Sequence, residues 1–138
     1  MMKIKFFCIT LYVFFFNTQS FAEIYEVNNR KIITLMESGI PLIDIRTKRE
    51  WDETGVIRDS NLLTFFDKDG NYNFKEWIPK LKKIASNLDP VIIICRSGRR
   101  SRIVANFLDL KEHYKIVYHA TDGIVSWIDF KNKTVKPN

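Results

Sequence analysis

Cys95 closes an apolar run, Val91-Ile92-Ile93-Ile94, and is followed at once by Arg96-Ser97-Gly98-Arg99-Arg100-Ser101-Arg102. Four consecutive β-branched residues suit a strand buried on both faces, and Gly98 permits a tight turn after it. Helical spacing then begins, with Ile103, Val104, Phe107 and Leu108 on one face. A thiol at such a strand-to-helix turn meets the free amides of a helix start and several guanidinium groups, and both favour thiolate over thiol. The thiolate is the nucleophilic form, so this spacing points to a reactive sulfur more than to a packing cysteine. Cations beside a helix amino end oppose its dipole, which makes Arg99 and Arg100 unfavourable there unless an anion lies between them.

The first 22 residues sharpen the reading. Lys3 and Lys5 precede an almost unbroken apolar stretch from Phe6 to Phe16, and Ser20-Phe21-Ala22 places small residues where a signal peptidase inspects them. This predicts a secretory leader over residues 1–22, cleaved before Glu23, a single domain over 23–138, and a periplasmic or secreted product. The apolar stretch falls short of the ~20 residues of a membrane span, so no stable membrane anchor is expected after cleavage. Cleavage removes Cys8 and leaves Cys95 as the one cysteine, which excludes an intramolecular disulfide and a C-x-x-C redox pair. It also removes Lys3 and Lys5, lowering the formal net charge from +6 to +4. The other basic residues are scattered among acids, which argues against a nucleic-acid partner.

The elements that must position Cys95 alternate. Glu23 to Val27 reads as a strand, and Asn28 or Asn29 caps a helix that ends at Gly39. Pro41 to Arg46 is the next strand; Thr47-Lys48-Arg49-Glu50 has the spacing of a capping box for a helix running to Thr54. A short strand is expected at Leu62 to Phe65. Phe74, Trp77, Ile78, Leu81, Ile84 and Ala85 then recur at helical spacing. Lys115 to His119 makes the last strand, Gly123 to Phe130 the last helix, and the polar tail from Lys131 is expected to fray. Such alternation predicts an α/β fold, with a mainly parallel central sheet of about five strands and helices on both faces. Reactive groups in such sheets gather beyond the carboxyl ends of the strands, where Cys95, the Asp44–Arg46 pair and His119 all fall.

Three blocks resemble the single-domain rhodaneses, or thiosulfate sulfurtransferases. Leu42-Ile43-Asp44-Ile45-Arg46 with Glu50-Trp51 is similar to the family's "DVR…E(F/W)" segment. Cys95-Arg96-Ser97-Gly98-Arg99-Arg100-Ser101 resembles its active loop "CRSGxRS", and Asp122-Gly123-Ile124 through Trp127 its closing "GG…W". Gly55-Val56-Ile57-Arg58-Asp59-Ser60 departs from the usual "GHIxGA", with Val56 for His and Asp59 for Gly, and Asp122 replaces the first closing Gly.

The resemblance implies a rhodanese-like fold and sulfur transfer by covalent catalysis, with no cofactor. Cys95 would carry the sulfur as a persulfide. The amides of the loop, Arg96, Ser97, Gly98, Arg99 and Arg100, would stabilise its charge, and the three arginines are candidates to hold a small anionic donor. The acceptor would be a thiol, cyanide or a protein. Asp44, Arg46 and Ser101 would support the loop and its neighbouring turns.

Two other functions compete with turnover. One is a sulfur carrier that exchanges sulfur with a dedicated protein partner. The other is a cysteine phosphatase or arsenate reductase, whose C-x5-R loop places arginine six residues past the cysteine. That position is Ser101 here, so the loop is one residue short. His119 could serve as a proton donor or as a plain polar strand end. Asp67-Lys68-Asp69-Gly70-Asn71 misplaces its glycine for an EF-hand, and no metal site is expected.

Overall fold

The computed structural model describes residues 23–138, so the expected leader lies outside the described residues. Strands and helices alternate throughout. They are β1 (Glu23–Val27), α1 (Asn29–Glu37), β2 (Leu42–Asp44), α2 (Lys48–Thr54) and β3 (Asn61–Leu62), then α3 (Phe74–Lys82), β4 (Val91–Ile94), α4 (Arg99–Glu112), β5 (Ile116–Ala120) and α5 (Gly123–Asp129). The five strands form one sheet in the order β1-β5-β4-β2-β3, and every pairing is parallel. This is the expected α/β architecture.

β4 lies at the centre because its side chains can be buried on both faces; Val91 to Ile94 are all fully buried. Val91, Ile93 and Cys95 pack with Trp77, Leu81, Val104 and Leu108 of α3 and α4. Ile92 and Ile94 pack on the opposite face with Ile32, Leu35, Ile124 and Trp127 of α1 and α5. The chain leaves β2 toward β3 and leaves β4 toward β5, so the connections diverge between these two neighbours. Such a divergence marks the switch point of a parallel sheet, where sites tend to form beyond the strand ends, and Cys95 directly follows β4 there.

Local signals fix the elements that frame this point. Asn28 accepts from Lys31 N at 3.0 Å to start α1. Thr47 and Glu50 complete the expected capping box of α2. Among the described residues, no helix is long and apolar enough to cross a membrane.

Two expectations need correction. β3 covers Asn61–Leu62 instead of Leu62 to Phe65, because β2 ends at Asp44 and leaves no regular ladder beyond it. The bonds from Leu63 N to Asp44 O and Phe65 N to Ile45 O continue the contact irregularly. The tail is held in place along part of its length. Val56 and Val135 exchange two backbone hydrogen bonds of 2.9 Å in an antiparallel bridge, and Trp127 Nε1 donates to Lys133 O at 3.0 Å. A buried indole N–H needs an acceptor, and the tail supplies it.

Candidate active site

Cys95 follows the last residue of β4 and is 1% exposed. Its sulfur nevertheless meets its own turn: Gly98 N donates to Sγ at 3.1 Å, and Sγ lies 3.4 Å from Ser101 Oγ. This geometry requires Gly98. It takes a φ of +92°, and a Cβ there would sit 1.8 Å from Thr121 O. The other side of the turn is braced by the start of α5. Ile124 N donates to Cys95 O at 2.9 Å and Val125 N to Arg96 O at 3.1 Å, across an approach that only Gly123 leaves open. Asp122, the departure in the closing motif, therefore leaves this approach intact.

The Gly98 carbonyl is held as firmly as its amide is aimed. It accepts from Arg102 N at 3.1 Å and Ser101 Oγ at 3.1 Å, and pairs with His119 Nε2 at 2.8 Å. His119 reaches it from β5. Burial pushes its imidazole below the ordinary value of 6.5, and the nearby Arg102 charge adds to this, outweighing the Gly98 bond, Glu26 and Asp122. A neutral imidazole donating from Nε2 fits this carbonyl.

The flanking carboxylates and guanidiniums divide into two groups. Asp44 and Arg46, both 1% exposed, form a buried ion pair at 2.7 Å. Arg46 also donates to Thr54 Oγ1 at 2.7 Å and Gly55 O at 2.9 Å, so it ties the end of β2 to the end of α2. These two residues thus support neighbouring turns, while Ser101 sits against the sulfur itself. Arg100 is bound bidentately by Glu50, with one bond of 2.9 Å. Burial opposes charge on Glu50, but the bonds from Arg100 and Thr47 prevail and hold its carboxyl down at about 2.

Arg96 and Arg99 are different. Both are exposed, and neither side chain has a hydrogen bond or ion pair among the described residues. With Ser97, Arg100, Glu50 and Lys68 they line an open cavity of about 550 Å³ above the loop. Two uncommitted guanidiniums on the loop that follows the thiol can bind an anion. Asp67 accepts from the amides of Asp69 and Asn71 and shapes the cavity rim.

For two residues of this site, the sequence shows the position but not the contact. Glu50 was legible as a capping residue, and that role masked its bond to Arg100. His119 was weighed as a proton donor, with no signal for the carbonyl it grips.

The sequence matches the model of the rhodanese-like domain over residues 28–129. It is 36% identical over 92 residues to an uncharacterised protein of Rickettsia prowazekii, covering 64% of this chain and 72% of that one. Thiosulfate sulfurtransferase 18 of Arabidopsis thaliana is 23% identical over 112 residues, 78% of this chain and 80% of the plant protein. Among solved structures, the polysulfide-sulfur transferase of Wolinella succinogenes superposes with a TM-score of 0.62 at 16% identity, covering 83% of this chain and 80% of that one. A protein of unknown function from Rhodopseudomonas palustris, described as a possible tyrosine phosphatase, superposes with a TM-score of 0.57 at 23% identity over 81% and 85% of the two chains. These structural likenesses speak to the fold, and the family match spans most of the described residues. The chain is a member of the rhodanese-like domain family.

Proposed function

We propose that the protein is a sulfurtransferase that moves sulfane sulfur from thiosulfate, or from a persulfide or polysulfide donor, through a Cys95 persulfide. The Cys95 thiolate attacks the outer sulfur of the donor. The donor's sulfur–sulfur bond breaks, its electron pair leaves with sulfite or the donor thiolate, and Cys95 holds the sulfur. A thiol, cyanide or protein acceptor then attacks that terminal sulfur as a nucleophile and restores the Cys95 thiolate. Gly98 N–H, already 3.1 Å from Sγ, offers a fixed dipole to the negative sulfur. Arg96 and Arg99 hold the anionic donor.

The observation that carries this reading is a sulfur faced by its own loop amide, in a loop whose Arg96 and Arg99, unpaired among the described residues, line an open cavity. Phosphatase chemistry fits less well. The sixth residue after Cys95 is Ser101, which is buried against Gly98 O, and Arg100 is committed to Glu50. The test is thiocyanate formation from thiosulfate and cyanide, compared with Cys95→Ser, alongside the intact mass after thiosulfate alone. Turnover abolished by the variant is expected, with a gain of about 32 Da, one sulfur atom, on the wild type. Persulfide without turnover would mark Cys95 as a carrier, and hydrolysis of an aryl phosphate in place of either would overturn the assignment. We further propose, from the pattern of residues 1–22, that the reaction is periplasmic or extracellular. The mass of the protein recovered from that fraction, beginning at Glu23, checks this.

A further inference from the structure

The Ser101 hydroxyl has one proton and two claimants. Gly98 O lies 3.1 Å from Oγ on one side, and Cys95 Sγ lies 3.4 Å from it on the other. In the thiol form the demands agree: Sγ–H donates to Ser101 Oγ, and the hydroxyl donates onward to Gly98 O. A thiolate has no proton to donate, so this contact stays attractive only if the hydroxyl turns toward the sulfur. Gly98 O is then left with Arg102 N–H and the imidazole of His119.

His119 is 1% exposed, and its Nδ1 has no hydrogen-bond partner among the described residues. Leaving a buried imidazole nitrogen unpaired is unfavourable at a position where an apolar side chain could continue the β5 pattern. The charged groups facing the ring are Arg102 of α4, Glu26 of β1 and Asp122 ahead of α5, and the first two pair with each other. What the ring does achieve is a 2.8 Å bond to the carbonyl that Ser101 must release.

We propose that His119 is a positioning residue for the Cys95 thiolate, holding Gly98 O from Nε2 so that the Ser101 hydroxyl is free to serve the sulfur. The inference rests on Cys95 acting as the nucleophile, but it concerns the ionised sulfur itself and is read without any sulfur donor.

The test measures the second-order rate of Cys95 alkylation by iodoacetamide at neutral pH, with urea unfolding of each variant as a control. His119→Leu and His119→Met are made together, so that one apolar variant covers a failure of the other to fold. Each is expected to slow alkylation about fivefold to tenfold, the effect of one lost hydrogen bond. His119→Gln, whose amide N–H can take over the bond, is expected to restore the rate to within about twofold of wild type. Ser101→Ala should also slow alkylation, and adding His119→Leu to it should cost little more, because the imidazole acts through that hydroxyl. Folded apolar variants that alkylate at the wild-type rate would overturn the proposal, as would a double variant whose loss is the product of the two single losses. If these rates behave as expected but no thiocyanate forms, the sulfurtransferase reading fails alone.

Discussion

Replacing Gly98 by alanine tests the loop geometry directly. Two separate costs arise at this position. The first is backbone strain: a φ of +92° is unfavourable for any residue with a Cβ, by about 1–2 kcal/mol. The second is contact. The new methyl would lie 1.8 Å from Thr121 O, whereas real Cβ atoms essentially never come under 3.0 Å of another heavy atom, so something must retreat by about 1.2 Å. Thr121 is poorly placed to yield, because its amide bonds Val27 O and the next residues lead into the α5 amides that hold Cys95 O and Arg96 O. The loop moves instead, and the 3.1 Å bond from Gly98 N to Sγ is lost. Gly98→Ala should therefore lose about 3–5 kcal/mol of stability in urea unfolding and about a hundredfold in sulfur transfer. Gly39→Ala is the control. Its φ of +85° is similar, but a Cβ there meets nothing within 4 Å, so only the backbone cost, about 1 kcal/mol, should appear, with activity intact. A Gly98→Ala protein as stable and active as Gly39→Ala would refute the account of the loop.

Glu50 binds its proton less readily when folded, so its contribution to stability is complete above about 4.5 and disappears as the pH falls toward about 2. After solvent screening of this part-exposed pair, Glu50→Gln should flatten that acid limb of the unfolding profile by about 1 kcal/mol. His119, held below its ordinary value, acts in the neighbouring window: stability should be complete above 6.5 and fall with pH until the lowered value is passed. His119→Gln should remove that slope, and an unchanged slope would locate the proton elsewhere. Asp59 carries a φ of +63°, so Asp59→Gly should raise the urea midpoint by the equivalent of about 0.5–1 kcal/mol.

The parts of this fold legible in the sequence are those written in neighbouring residues. The buried strand Val91 to Ile94, the turn at Gly98 and the helix after it each have a local signature, as does the Thr47–Glu50 capping box. The alternation of elements then restricts the topology to a parallel sheet. The features that escaped are contacts between distant segments. Val135 finds Val56 only once α2 and the tail are both in place, and nothing in a polar tail announces an indole waiting for a carbonyl. The helix cap gives Glu50 a local role that says nothing of its second oxygen's partner 50 residues away. The bond from His119 to Gly98 depends on the register of β5 beside β4, which pairs Ile93 with His119.

The buried Asp44–Arg46 pair has a consequence for how this site could diversify. By clamping the end of β2 to the end of α2, it makes these turns part of the rigid frame. Arg96 and Arg99 stand outside that frame, surface-facing and without a side-chain bond among the described residues. Under the proposed function, exchanging these two side chains would retune which anion is admitted, with little risk of compromising folding.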